Sequence, residues 1–213
     1  NAFNIYRNTF AEFGLGVKTG IDLPNESLGY SGTNRLSGLL LDFSIGQYDT
    51  YTPIQIAQYM STIANNGERL KPYLLKAVFS SKGDSFTNLI YENKSVVLNK
   101  VKTKEKYIKR VQEGFKAVLD YGGTGSGYID HYYNAAGKTG TAQSFLDTDG
   151  NGVIDTATTT ATFSAYAPYD NPEVVFTIIS PDICKEEVSY YSMSHINMRI
   201  SQKVSKKYFE IYR

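Results

Sequence analysis

Apolar positions along the chain switch between a helical and an extended period, and the switches divide it into segments. Phe3, Tyr6, Phe10 and Phe13 recur at helical spacing, with Gly14 placed as the C′ glycine. No capping residue precedes this pattern in the usual place, so the chain is expected to open inside or just before a helix, as a cut from something longer would. Residues 14–35 lose the period and read as loop. Thr52-Pro53-Ile54-Gln55 predicts a helix start, with Thr52 as N-cap, Pro53 at N1 and Gln55 completing a capping box. Ile56, Tyr59, Met60, Ile63 and Ala64 then form an apolar stripe, and Asn65-Asn66-Gly67 supplies the stop. Residues 71–79 and 89–98 read as short extended segments around a turn at 80–84. A second helix is expected from 103 to 119, with Ile108, Val111, Phe115 and Val118 on one face, ending in Gly122-Gly123-Thr124-Gly125.

The last third changes character. Strands are expected over 135–145, 158–167 and 173–180, the second rich in Thr and aromatics and the third in β-branched residues. Short connections make them an antiparallel meander. Over 190–212, Ile196, Ile200, Val204, Tyr208 and Ile211 predict a helix laid on one sheet face. The fold class is α/β of the α+β type, an antiparallel sheet covered by helices.

Composition narrows the function classes. A length of 213 residues suits one domain or a large piece of one. Twenty-two basic and 21 acidic side chains leave a net charge of +1, which argues against nucleic acid as a partner. The six basic residues between Lys100 and Arg110 read as a solvated helix face, and Arg7, Lys18 and Arg35 as isolated, solvated charges. Cys184 is alone, so neither an internal disulfide nor a thiolate metal cluster can form, and a small buried hydrophobe is expected there. His131 and His195 lack a nucleophile-elbow context and read as surface or capping groups. No run of about 18 apolar residues is present to cross a membrane.

The segment that carries chemistry is Gly137-Lys138-Thr139-Gly140-Thr141-Ala142-Gln143 at the start of a predicted strand. Lys138 supplies a fixed positive charge that attracts an anionic substrate and lowers the proton affinity of its neighbours. Thr139 and Thr141 offer hydroxyls to a carboxylate. Gly140 lets a substrate backbone come close, and the Thr141 N–H can serve as one oxyanion donor. Such a strand can also pair with an extended peptide. A second Lys-Thr-Gly, Lys18-Thr19-Gly20, runs into acidic residues and Pro24 and reads as loop.

Further segments stand around this one in a fixed order. They are Phe13-Gly14-Leu15-Gly16, Thr19-Gly20-Ile21-Asp22-Leu23-Pro24, Ser44-Ile45-Gly46-Gln47 followed by Thr52-Pro53-Ile54-Gln55-Ile56-Ala57, Ala64-Asn65-Asn66-Gly67 with Lys71-Pro72, Gly123-Thr124, and Phe163-Ser164-Ala165-Tyr166-Ala167-Pro168. Together they resemble the C-terminal part of a class B (monofunctional) penicillin-binding protein transpeptidase domain, a fold shared with serine β-lactamases. The resemblance implies peptidoglycan D,D-transpeptidation. A serine attacks the penultimate D-Ala of a stem peptide, terminal D-Ala leaves, and an amine of a second stem accepts the acyl group. β-Lactams would acylate the same serine. It implies Lys138 as catalytic residue and Lys138, Thr139, Gly140 and Thr141 as substrate-binding residues. It also implies no required cofactor, a cell-wall synthesis complex as partner, and a parent protein at the extracytoplasmic face of a bacterial membrane with its anchor outside this chain.

No serine has Lys three positions on, and none has Asn two positions on. The family's Ser-x-x-Lys and Ser-x-Asn motifs are therefore expected before Asn1. Residues 1–213 would be the C-terminal portion of a single transpeptidase domain, inactive alone and inclined to self-associate. Alternatives are a β-lactam-sensing or β-lactamase-like relative, and a non-catalytic binding module of the same fold. Separately, Asp147, Asp149, Asn151, Val153 and Asp155 occupy positions 1, 3, 5, 7 and 9 of a calcium loop, with Gly152 at the turn position. Thr158 stands where a bidentate Glu is expected, and the flanks read as strands. A structural calcium and an acidic hairpin turn both fit this pattern, and a calcium-binding adhesion module is a third alternative.

Overall fold

The first aromatic run forms α1 (Ala2–Glu12), and the rings of Phe3, Tyr6 and Phe10 gather 5.3–6.0 Å from that of Phe43. Phe43 lies on α2 (Ser37–Ser44), a helix the sequence does not announce. Its apolar residues are contiguous (Leu39-Leu40-Leu41) and thus without period, only Phe43 is buried, and Leu36 at its N-cap provides no side-chain bond. The structure is a computed structural model describing residues 2–82, 85–183 and 195–212. It divides into two units, Asn1–Thr103 and Lys104–Arg213. Cys184 and the start of the predicted last helix lie outside the described residues.

In the first unit the capping box is present. Gln55 N–H donates to Thr52 Oγ1 (3.4 Å) and Thr52 N–H to Gln55 Oε1 (3.0 Å), opening α3 (Pro53–Ala64). The buried face of α3 is more polar than its stripe suggests. Gln55 and Gln58 are buried because their amides serve backbone carbonyls: Gln55 Nε2 donates to Val17 O, and Gln58 Nε2 to Thr19 O and Leu70 O. After α3 come β1 (Glu68–Leu70), β2 (Ala77–Lys82), β3 (Ser85–Glu92) and β4 (Val97–Lys100). They make two separate antiparallel pairs, β1·β4 and β2·β3, each with a register shift. Arg7 is not the solvated charge expected. It donates from Nε and Nη2 to both carboxylate oxygens of Asp49 (2.8 and 2.7 Å) and from Nη2 to Gly32 O, while Gly32 N–H donates to Asp49. With Asp49 almost wholly buried, the pair fastens α1 to the loop.

The second unit opens with α4 (Glu105–Leu119), whose basic residues point outward, Lys109 pairing with Glu105 at 2.9 Å. One turn of 3-10 helix (His131–Tyr133) leads into β5 (Ala136–Leu146), followed by β6 (Thr156–Ala167) and β7 (Val174–Ile183). The sheet order β5-β6-β7 and its antiparallel pairing are the predicted meander. Leu119, Ile129, Phe163, Ala165 and Phe209 form the core on one sheet face.

The last helix, α5 (Ile196–Tyr212), turns a different side inward from the one predicted. Ile196, Ile200, Val204 and Ile211 stay exposed, while Asn197, Ser201, Ser205 and Phe209 are buried. Asn197 and Ser201 find partners there, while Ser205 Oγ donates back to Gln202 O of its own helix (3.3 Å). Ser201 Oγ donates to Tyr128 O (2.7 Å), and Ser180 Oγ donates to Asn197 Oδ1 (2.7 Å). Their small side chains also let the helix approach closely.

Candidate active site

The Lys-Thr-Gly segment occupies the first half of β5. Among the described residues β5 pairs with β6 alone, so no strand covers its outer edge. Pairing runs from Ala136↔Tyr166 to Leu146↔Thr156 without a shift, which fixes the face each side chain takes. Lys138 stands opposite Ser164, Thr139 opposite Phe163, Gly140 opposite Thr162 and Thr141 opposite Ala161.

The two glycines here differ in what the protein asks of them. A Cβ on Gly137 would sit 2.6 Å from Ser164 O and 2.7 Å from Ala165 Cβ, so packing against β6 requires glycine. A Cβ on Gly140 would meet nothing closer than Thr162 Cβ at 3.5 Å, an ordinary contact. Packing of this chain therefore leaves the bare backbone at Gly140 unexplained, and the space over it is open.

Lys138 is exposed, and its Nζ donates to Thr139 O at 2.5 Å. No ion pair to it occurs among the described residues. On its face of the sheet, β6 presents Ser164, Thr162, Thr160 and Thr158 in a row. Ser164 Oγ lies 2.7 Å from Thr177 Oγ1. Ser144 bridges Thr158 (2.8 Å) and Thr160 (3.1 Å), and Thr158 donates to Asp182 Oδ1 (3.1 Å). This hydroxyl row was not singled out from the sequence. Its signal was present in the alternation of Thr through 156–162, but which face those residues share depends on the β5 register.

The second Lys-Thr-Gly is a closed loop, as expected. The Glu26 carboxylate accepts from Thr19 N–H (2.7 Å), Thr19 Oγ1 (2.6 Å) and Gly20 N–H (3.0 Å), and Thr19 is fully buried. Burial opposes the charged form of Glu26, but these hydrogen bonds outweigh it and hold the carboxyl below its ordinary range.

Asp147, Asp149, Asn151, Val153 and Asp155 lie together in the β5–β6 connection. Leu146 stands eight residue steps along the strand from Lys138, which puts the loop roughly 27 Å from the lysine. Asp147 accepts from Gly150 N–H (2.7 Å) and Gly152 N–H (2.8 Å), Asp149 from Asn151 N–H (3.2 Å), and Asn151 Oδ1 from Val153 N–H (2.7 Å). The bond from Gly152, above all, holds the Asp147 carboxyl below the usual range. The loop thus closes on its own backbone. No group of three or more His, Cys, Asp or Glu side chains among the described residues is arranged to hold a metal.

Comparison with known proteins covers nearly the whole chain. Residues 4–204 match the family described as the penicillin binding protein transpeptidase domain. Penicillin-binding protein 2A of Bacillus subtilis is 48% identical over 212 residues, 99% of this chain and 29% of that protein. Peptidoglycan D,D-transpeptidase MrdA of Haemophilus influenzae is 31% identical over 190 residues, 81% of this chain and 28% of that protein. Among solved structures, penicillin-binding protein 2B of Streptococcus pneumoniae superposes with a TM-score of 0.81 at 30% identity, over 97% of this chain and 32% of that one. The chain spans less than a third of the length of each of these relatives.

Proposed function

The chain belongs to the penicillin-binding protein transpeptidase family, and on that premise we propose that it forms the substrate-strand side of a peptidoglycan D,D-transpeptidase site. The observation that carries this reading is the open edge of β5, where Gly140 leaves space that packing does not use. An extended stem peptide lies along that edge and pairs with its backbone groups. Thr139 and Thr141, on the face of β5 away from Lys138, hold the terminal carboxylate of the stem from one side of the strand, and Lys138 supplies the charge that draws it in from the other. The Thr141 N–H faces the oxygen that becomes negative as the acyl carbon turns tetrahedral.

The nucleophile is a serine of a Ser-x-x-Lys motif, which residues 1–213 do not contain. Its oxygen bonds to the carbonyl carbon of the penultimate D-Ala, and its proton passes through a neighbouring base to the departing nitrogen. The C–N bond breaks and D-Ala leaves. An amine of a second stem then attacks the ester, loses its proton, and returns the serine to its hydroxyl form. β-Lactams enter the same way, except that the leaving amine stays tethered. Residues 1–213 are the C-terminal portion of one such domain, working outside the cytoplasmic membrane within a cell-wall synthesis complex. The anchor that this reading calls for is placed outside residues 1–213; no helix among the described residues is long and apolar enough to cross a membrane. No step calls for a metal or cofactor.

Intact mass after incubation with penicillin, on this chain and on the full-length protein, tests the reading. A single adduct on the full-length protein alone is expected. An adduct on residues 1–213 by themselves would put the nucleophile among its own serines, and no adduct on either would make the domain a non-catalytic module.

A further inference from the structure

In the β2–β3 hairpin of the first unit, all eight residues of β3 and four of the six of β2 are exposed. Phe79 and Phe86 are 49% and 80% exposed, although their rings meet at 6.2 Å. Val78, Leu89, Ile90 and Tyr91 are exposed as well. A two-stranded hairpin is marginal in water by itself and gains from a third strand. Exposed apolar side chains that are contiguous in this way mark an interaction surface.

The two outer edges of the hairpin differ. Among the described residues it pairs with no other strand, so neither edge is covered. Both register shifts insert their extra residue in β3: Val78↔Tyr91 is followed by Phe79↔Leu89, and Ser81 then pairs with Phe86. Bulges bend a strand and blunt its edge. β2 carries no extra residue, so its side chains alternate. Phe79 and Ser81 share the face of Phe86, while Ser80 Oγ lies 2.9 Å from Thr87 Oγ1 on the other face. Lys76 O accepts from Asn93 N–H (2.8 Å), which continues the pairing one step before β2. By alternation Lys76, Val78, Ser80 and Lys82 therefore stand on one face. Both lysines are exposed, and neither has an ion pair among the described residues.

The two lysines select the occupant. A second copy paired antiparallel on β2 and centred on Phe79 would set each Lys76 opposite a Lys82, and like charges directly opposite destabilise a ladder. A bilayer suits lysines beside aromatics, but the uncovered edges would carry unpaired N–H and C=O groups into hydrocarbon. A strand with carboxylates at its ends satisfies the edge and the charges together. We propose that the β2 edge takes an extended acidic segment of a partner protein by strand addition. Its carboxylates stand six residues apart, about 20 Å, opposite Lys76 and Lys82. Midway between them, on its other face, an apolar side chain lies against Phe79. The proposal does not rest on the transpeptidase reading, whose residues belong to the second unit.

The test titrates the full-length protein with a fluorescent peptide, Glu-Thr-Thr-Ile-Val-Thr-Glu blocked at both ends, whose residues in antiparallel pairing fall opposite Lys82 through Lys76 in turn. Saturable binding by fluorescence polarisation is expected, at least about fivefold weaker for the same peptide with Lys at both ends. The double change Lys76→Glu with Lys82→Glu should reverse that preference, and Phe79→Ala should weaken binding of the acidic peptide. These variants alter exposed side chains outside the proposed active site, so wild-type penicillin acylation is expected of each and shows that it has folded. Binding of neither peptide, equal binding of both, or a preference that survives the charge reversal overturns the proposal. Two further results would also overturn it. Dimerisation in sedimentation that Phe79→Ala abolishes would make the occupant a second copy, and displacement of the peptide by phosphatidylglycerol vesicles would make it a membrane.

Discussion

The two units reach order by different means. In Lys104–Arg213 a sheet with unbroken β5–β6 register packs Phe163 and Ala165 against Leu119 and Phe209, and backbone pairing with apolar burial fixes the geometry. In Asn1–Thr103 the strands are short, paired in twos and shifted in register, and the loops are held by individual side chains: Asp49 on Arg7 and Gly32, Glu26 on Thr19 and Gly20, Gln55 and Gln58 on loop carbonyls. A sheet tolerates the loss of most single side chains because its bonds are repeated. A loop held by one carboxylate does not.

The largest effect is expected on chemistry in the second unit. Lys138→Ala should slow penicillin acylation of the full-length protein by about 10²-fold or more, as loss of one preorganised electrostatic group does elsewhere, with the melting temperature nearly unchanged because the side chain is exposed. Wild-type acylation by that variant would remove Lys138 from the site.

The contrast between units is tested by Asp49→Ala. It leaves the Arg7 guanidinium, 24% exposed, facing a vacated carboxylate position and Gly32 N–H unpaired. A loss of about 3 kcal/mol is expected in denaturant unfolding. A loss within measurement error would mean that the loops of the first unit do not depend on single polar side chains.

Gly137→Ala probes the other mechanism. Its methyl must displace Ser164 O or Ala165, at an expected cost of about 1–3 kcal/mol. Less than that would show the β5–β6 pairing to be softer than its register suggests.

Smaller still is the acid limb of stability. The Glu26 carboxyl has a folded pKa below its ordinary value of 4.5. Its contribution is therefore complete above that value and fades as pH falls through the lower, folded one. Glu26→Gln should flatten the stability–pH curve in that window and nowhere else, and an unchanged acid limb would contradict the assignment. Least of all is expected from calcium. The 147–155 loop is already closed by its own N–H groups, so millimolar calcium should shift the melting temperature by less than about 1 °C. A saturable heat of binding would return the ion to that loop.

What the sequence made legible follows the same division. The meander, the Thr52 capping box and the Lys-Thr-Gly strand were readable because period and local chemistry determine them. The Arg7–Asp49 pair joins residues 42 apart, so no local signal could announce it. The inward face of α5 was misread because Asn197 and Ser201 are buried against partners that lie elsewhere in the chain. α2 was missed because its leucines are contiguous and none of them is buried. At the candidate site, Lys138 through Thr141 could be named from sequence. The hydroxyl row from Ser164 to Thr158, and the difference between Gly137 and Gly140, required the register of β6.

The proposed site keeps the backbone at Gly140 open for a substrate. Its most direct test is Gly140→Ala in the full-length protein, with penicillin acylation rate and melting temperature measured on one preparation. Acylation slowed by at least about tenfold at unchanged stability is expected, since the methyl meets the ligand and not the protein. Acylation at the wild-type rate would mean that nothing approaches the strand there, and would contradict it.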